Sequence, residues 1–363
     1  NQSYSFDFDA TATNDLVIRG YNSGGGQSFS ITNISVQLIQ TDTPRIDFSD
    51  SVKGALLLEP SSTQLLQYSE DFSQWIKTSE VAITSNYGIS PDGTKSSSRV
   101  LFSNASEILK LNFTATNDVI ASIYIKGTEG ETIRFGLQDG ETNFTLTGDW
   151  QRINRYRSGG HTGGSENINI NTYGGVTARD IEVWGAMVEQ KSFSTSYIPN
   201  HGVSGGVTRL RDVCNNSGSA QDFNSEEGVL YAEIAALAND GTARRISLND
   251  GTTNNTVEVR YTSNNNQIQF VIRDNGTVTV SPSINISNVL EFNKIALRYK
   301  ADDCKMYING VRERTDTNCT MPSGLNRLSF NWGGSNPFYG KVRAVQVFTE
   351  ALTDEQLEKL TTI

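Results

Sequence analysis

Histidine, cysteine and proline are scarce in this chain of 363 residues, which has 2, 3 and 7 of them. Only His161 and His201 are present, both in Gly-rich loops, and no G-x-S-x-G elbow, H-E-x-x-H helix or Walker loop occurs. Nucleophilic and zinc-hydrolase mechanisms therefore lose their usual participants. The cysteines Cys214, Cys304 and Cys319 lack the C-x-x-C spacing of a zinc site, and their number leaves at least one unpaired. Folding a hairpin about Asn309-Gly310 sets Cys304 opposite a residue near Thr315 rather than Cys319, so free thiols are expected. No run approaches the ~20 apolar residues that span a bilayer, so no membrane insertion is expected. Clustered basic residues are missing as well, and with a formal charge of -10 this argues against a nucleic-acid partner.

Alternation of apolar and polar residues is what the chain does have. "YSFDFDATAT", "FSITNISVQLIQ", "VIASIYIKG", "TIRFGLQD", "VEVRYTS", "QIQFVIRD" and "VRAVQVFTE" all repeat with period 2, the pattern of strands with one wet face. Turn signals such as "PDGT", "KGTEGE", "NDGTT", "RDNGT" and "INGV" separate them at short intervals. The expectation is an all-β protein of tandem β-sandwiches. One helix is expected, at the C-terminal "TDEQLEKLTTI", where Thr353 and Gln356 have the spacing of a capping box.

The length exceeds one ordinary core and divides into sections. Residues 1–45 carry only about three strands, too few to close a sandwich. They read as the terminal strands of an incomplete module, so that either the sequence is a piece of a longer chain or another chain supplies the missing strands. Residues 46–65, interrupted by Pro60, read as a linker lying over the next module. Residues 66–207 and 208–363 are each the size of one sandwich.

Catalysis by paired carboxylates needs only two acids about 5–10 Å apart. Asp180 with Glu182, Glu70 with Asp71, and Glu226 with Glu227 offer such pairs. On "RDIEVWGAMVEQ", Asp180, Glu182 and Trp184 share one strand face, while Ile181, Val183, Gly185 and Met187 make the better core face. Calcium binding would use oxygen-rich loops, and Glu70, Asp71 and Asp180 would meet if the first and last strands of the module run side by side; the alternative is an exposed acidic turn. Such a Ca2+ would be structural, and no cofactor is required.

Sugar sites join a flat aromatic ring to directional polar groups. Tyr87, Trp150, Tyr156 and Tyr173 in residues 66–207, and Trp332 and Tyr339 in residues 208–363, are the candidate platforms, each with a core role as its alternative. Arg155, in "QRINRYRSGG" with Arg152 and Arg157, is a minor candidate for an acidic sugar.

Two family resemblances follow from particular motifs. "CKMYINGVRERTD" followed by "FYGKVRAVQVFTEALTDEQLEKL" resembles the laminin-G-like, concanavalin-A-type sandwich. "LLLEPSSTQLLQYSEDFSQW", "DWQRINRY" and "DIEVWGAMVEQKSFSTSYIPNHGVSGGVTR" resemble the carbohydrate-binding-module-like jelly rolls of bacteriophage virion proteins, tail and head fibres among them. Glycosidases of the concanavalin-like sandwich usually carry three acids at alternate spacing, whereas here position 184 is Trp.

The resemblance implies a non-catalytic glycan-binding, adhesion or receptor-binding protein at the virion surface or outside the cell. Its partners would be a cell-surface or extracellular polysaccharide, other virion proteins, and copies of itself, a trimer being favoured. The alternatives are an accessory region of a secreted polysaccharide-degrading enzyme, or a β-sandwich glycosidase or lyase.

Overall fold

The computed structural model describes residues 44–138, 140–159 and 166–363. The expected incomplete module of residues 1–45 lies outside them except for its last two positions. Arg45–Ile363 is one compact unit, almost wholly antiparallel β-sheet with one short C-terminal helix, so the all-β expectation holds.

Two five-stranded sheets form the first sandwich. One has the order Thr142–Thr145, Thr132–Leu137, Glu166–Asn171, Ile108–Phe113, Ile76–Lys77; the other runs Gln151–Arg157, Val119–Gly127, Arg179–Glu189, Ser98–Phe102, Val81–Thr84. Alternate residues point to the shared interior, where Leu109, Ile133, Phe135, Ile168 and Ile170 meet Val100, Phe102, Ile123, Ile125, Ile181 and Val183. Each such side chain contributes about 1.5–3 kcal/mol by leaving water.

On strand Arg179–Glu189 the expected core face holds for Ile181 and Val183, then changes. The register with Val119–Gly127 shifts between Trp184 and Met187, and Gly185 there adopts φ +61°. This bulge inverts the alternation, so Ala186 and Val188 join the core in place of Met187. The Met187 sulfur instead accepts the Ile198 N–H at 3.3 Å.

The second sandwich pairs a seven-stranded and a six-stranded sheet. The first has the order Arg45–Asp47, Ala55–Leu58, Gly340–Phe348, Glu227–Ala236, Asn293–Lys300, Cys304–Ile308, Val311–Asp316. The second runs Thr277–Val280, Gln267–Asp274, Thr256–Tyr261, Arg244–Asn249, Arg327–Ser329, with Ser283–Asn285 added beside Gln267–Asp274. Leu230, Ile234, Leu297 and Met306 pack on Ile246, Val259, Phe270 and Ile272 between them.

This topology corrects the reading of residues 46–65 as a linker. Leu56, Leu57 and Leu58 pair with Val342, Lys341 and Gly340 of the C-terminal strand, and Leu58 lies in the second core. Pro60 falls after that strand rather than inside it, so it ends the pairing without preventing it. Ser62–Gln64 then pairs with Val207–Arg209. The first sandwich is thus inserted into the second, whose sheet takes strands from both sides of the insertion.

The C-terminal helix Asp354–Thr361 has the expected capping box: Gln356 N–H donates to the Thr353 hydroxyl, and the Gln356 side chain accepts from Thr353 N–H. Leu357 packs it on the outer face of the seven-stranded sheet, against Val229, Tyr231 and Tyr307. The "ING" turn has Asn309 at φ 51° and Gly310 at φ 84°, the positive angles of a type I′ hairpin.

Candidate functional site

An open groove of about 280 Å³ lies on the outer face of the sheet containing Arg179–Glu189, lined by Tyr87, Lys126, Gly127, Thr128, Asp180, Ile181 and Glu182. Strand register builds its floor. Glu182 pairs across to Lys126 on one side and Arg99 on the other, which puts the three charges in one cross-strand row, and Asp180 shares their face two residues away. Arg99 donates to both Asp180 oxygens, at 2.8 Å from Nε and 2.5 Å from Nη2. These bonds hold the Asp180 carboxyl below the ordinary carboxylate range, outweighing its partial burial.

Tyr87 forms the wall. Its N–H donates to the Ser97 carbonyl at 2.8 Å, and Gly88 N–H to the Ser97 hydroxyl at 2.9 Å, fixing the loop on the sheet. That hydroxyl in turn donates to Glu182 at 2.7 Å. A Cβ on Gly88 would fall on the Glu182 carboxylate, so a side chain there would displace that carboxylate from its present place. The Tyr87 ring stays 46% exposed, with the Arg99 guanidinium 5.4 Å from its centroid. A half-exposed ring braced by a cation, beside acceptors and an ammonium, has the mixed character of a sugar subsite.

The remaining aromatic candidates separate. Trp150 donates its indole N–H to the Ile89 carbonyl at 3.0 Å and so anchors the loop that carries Tyr87. Tyr156 donates to Asp118 at 2.6 Å, an acceptor that raises the phenol's pKa. Tyr173 is 40% exposed, and its backbone follows the strand Glu166–Asn171 of the opposite sheet. Tyr339 is half-buried in the second sandwich, where burial raises its phenol despite the nearby Arg211.

The expected arginine patch is not one surface. Arg152 points to Tyr124 and the Thr195 carbonyl, whereas Arg155 and Arg157 donate to the carbonyls of Gly140 and Gln138 at the opposite sheet. Residue 152 differs in parity from 155 and 157 along the strand, which sends it to the other face.

Nor are Glu70, Asp71 and Asp180 brought together. Glu70 accepts from the Tyr197 hydroxyl at 2.8 Å, and Asp71 caps the 3-10 turn Phe72–Gln74 through Ser73 N–H at 3.1 Å. Asp180 is committed to Arg99. Among the described residues no cluster of three or more acidic, histidine or cysteine side chains is arranged to hold a metal. The expectation failed because Ser69, not an acid, is what meets the closing strand, by accepting Ala186 N–H at 2.8 Å on its carbonyl.

Trp332 covers a charged cluster on the six-stranded sheet that the sequence reading missed. Its ring lies 4.7 Å from Arg245 and 5.4 Å from Arg273, and its indole N–H is buried without a partner among the described residues. Beneath it Glu258, wholly buried, accepts from Arg245 at 3.1 Å, with Arg260 and Arg273 nitrogens at 3.8 and 3.9 Å. Burial, then the neighbouring Arg245, pulls Arg260 below its ordinary pKa. The available signal was "TVEVRY", where Glu258 and Arg260 share the face opposite Val257 and Val259.

Residues 219–358 match the family model of the concanavalin A-like lectin/glucanases superfamily. No curated protein matches the chain. Solved structures with similar elements include the CBM40 of the Ruminococcus gnavus IT-sialidase bound to α2,3-sialyllactose, at 16% identity over 42% of this chain and 97% of that one, TM-score 0.35. They also include domains LG4-5 of the mouse laminin α1 chain, at 8% identity over 77% and 95%, TM-score 0.27. The tandem CBM22 domains of Paenibacillus barcinonensis Xyn10C match at 12% identity over 81% and 99%, TM-score 0.27.

Proposed function

We propose that the chain is a non-catalytic glycan-binding protein that takes sugar rings on Tyr87. The observation that carries this is the groove itself, where a half-exposed tyrosine stands beside Lys126, Asp180 and Glu182 without any of them being needed for the core. The match of residues 219–358 to a lectin and glucanase superfamily supports the same class of ligand.

The biological setting of this reading is a bacteriophage virion, as part of a tail or head fibre or spike that binds a host or extracellular polysaccharide. What supports it is the motif set around "LLLEP", "YSEDFSQW" and "TSYIPN". In that setting the protein assembles with copies of itself, as a trimer, and with other virion proteins, at the virion surface or outside the cell. It requires no cofactor.

A glycosidase would need one groove carboxyl to remain protonated near neutrality, with a raised pKa. Arg99 pushes Asp180 the other way, so Asp180 is unsuited to be that acid.

Titrating the full chain against a glycan array, beside Tyr87→Ala, tests the reading. Binding that is lost in the variant supports it. No binder at high protein concentration would leave a bracing role, and new reducing ends that vanish in Asp180→Asn or Glu182→Gln would establish an enzyme. A monomer attached to a hydrolase domain would replace the virion setting with that of an accessory region.

A further inference from the structure

Cys304 and Cys319 stand next to one another in the second sandwich, although the hairpin between them does not pair them. The register sets Cys304 opposite Asp316, one residue from the expected Thr315, with the difference absorbed by a bulge at Met306 and Tyr307. Past Asp316 the chain turns back. Asp302 N–H donates to the Cys319 carbonyl at 3.0 Å, and Cys319 N–H to the Asp302 carboxylate at 3.3 Å, with Asp302 held at φ 55°. The two sulfurs end 2.6 Å apart.

Both are unbonded in the structure, yet this separation lies well inside nonbonded contact, since carbon atoms, which are smaller than sulfur, already rest at about 3.5–4.0 Å. Both side chains are buried in the core, at 0% and 2% exposure, and both sulfurs reach the same Lys300 carbonyl at 3.5 Å. The two thiols share that acceptor, and the Cys319 sulfur also reaches the Asp316 carbonyl at 3.7 Å. Burial also raises the Cys304 thiol, which disfavours the thiolate that a nucleophile or metal ligand needs. The site is thus unsuited to thiol chemistry in the folded protein and well placed for a permanent bond.

We propose that Cys304 and Cys319 form a structural disulfide. The bond forms by exchange with an external disulfide, either a small molecule or an oxidoreductase. One thiolate attacks it to give a mixed disulfide and release one thiol, and the second cysteine displaces the other. The two cysteines lose two protons and two electrons, and the external disulfide is reduced to two thiols. Because both sulfurs are buried once folded, exchange precedes packing of this hairpin.

The bond ties Cys304–Ile308 to the loop that follows Val311–Asp316, the strand at the edge of the seven-stranded sheet among the described residues. It leaves Cys214 as the single thiol and places maturation in an oxidising compartment.

The test is a thiol count by intact mass on the full chain refolded with glutathione disulfide, denatured without reductant and alkylated. One alkylation is expected, with the rest of the mass lower by two hydrogens, and three after reduction. A Cys214→Ser variant should then show none before reduction, and a digest should yield the peptide pair bridging Cys304 and Cys319. Reduction should lower the melting midpoint by roughly 5 °C. Three alkylations in protein whose circular dichroism is that of the folded state, or a bridge that includes Cys214, would overturn the proposal.

Discussion

Arg209 donates a charged hydrogen bond to the Glu59 carboxylate across 150 residues of sequence. Glu59 is only 3% exposed and also accepts Ser196 N–H at 2.8 Å, while Arg45 lies 3.2 Å from the same carboxylate. Residue 59 belongs to "LLLEP", residue 196 to "TSYIPN" and residue 209 to the "TR" that closes the inserted sandwich. The contact gathers the entry, the closing segment and the exit of that sandwich at one buried acid.

Replacing Glu59 by Gln keeps the shape and removes the charge, which leaves Arg209 without its carboxylate while Arg45 keeps its pair with Asp212. Breaking a buried ion pair from one side costs about 3–5 kcal/mol. Because both arginines keep some solvent contact, a loss near the lower end, about 3 kcal/mol, is expected in denaturant unfolding. A loss below about 1 kcal/mol would mean that the junction is held by strand pairing instead.

The same residues explain what could be read in the sequence. Alternation gave the strands, because a buried face enforces period 2, and the "ING" and "TDEQ" signals gave the hairpin and helix cap because their chemistry is local. The motifs quoted for family resemblance turn out to be the glue of the fold. Tyr197 packs against Trp184 with ring centroids 4.6 Å apart and bonds Ser69 and Glu70, and Trp75 bonds the Tyr68 carbonyl at 3.0 Å. Such long-range pairings carry no periodic signal. For that reason Glu70 and Asp71 looked available for calcium, residues 46–65 looked like a linker, and Arg99 and Lys126 passed unnoticed beside Asp180 and Glu182.

Tyr87 and Trp184 should behave as opposites. Tyr87→Ala removes a half-exposed ring whose neighbours are polar, so the melting midpoint should stay nearly unchanged while glycan affinity falls by about tenfold, the value of one lost ring contact. Trp184→Ala empties a site between Tyr124 and Tyr197 that is only 5% exposed, and should cost about 3–5 kcal/mol of stability. Differential scanning calorimetry alongside glycan titration separates the two. A Tyr87→Ala protein that melts like Trp184→Ala would move Tyr87 from the groove to the core.

Asp354, the first residue of the helix, should set part of the acid limit of the second sandwich. The hydrogen bond from Lys305 at 2.6 Å, aided by the charges of Arg312 and Arg298, holds its carboxyl below the usual value of 3.8. Because the folded pKa is depressed, this stabilisation is fully present above about pH 4 and disappears as the pH falls through the folded value. Urea unfolding at pH 7 and at pH 3 should therefore show a smaller acid-induced loss in Asp354→Asn than in the parent chain. Equal losses in the two proteins would show that the carboxyl titrates alike folded and unfolded.

Glu258 presents the sharpest electrostatic asymmetry, since one wholly buried carboxylate faces Arg245, Arg260 and Arg273. Glu258→Gln leaves three guanidiniums together beneath Trp332, where water reaches them poorly, and a loss of about 3–5 kcal/mol is expected. The repulsion should be partly relieved by Arg245→Met in the same chain, because that arginine makes the shortest contact and its removal lowers the excess charge. A double-mutant cycle reads the coupling directly: a double variant more stable than Glu258→Gln alone follows from charge imbalance, whereas additive losses would assign the cost to lost packing.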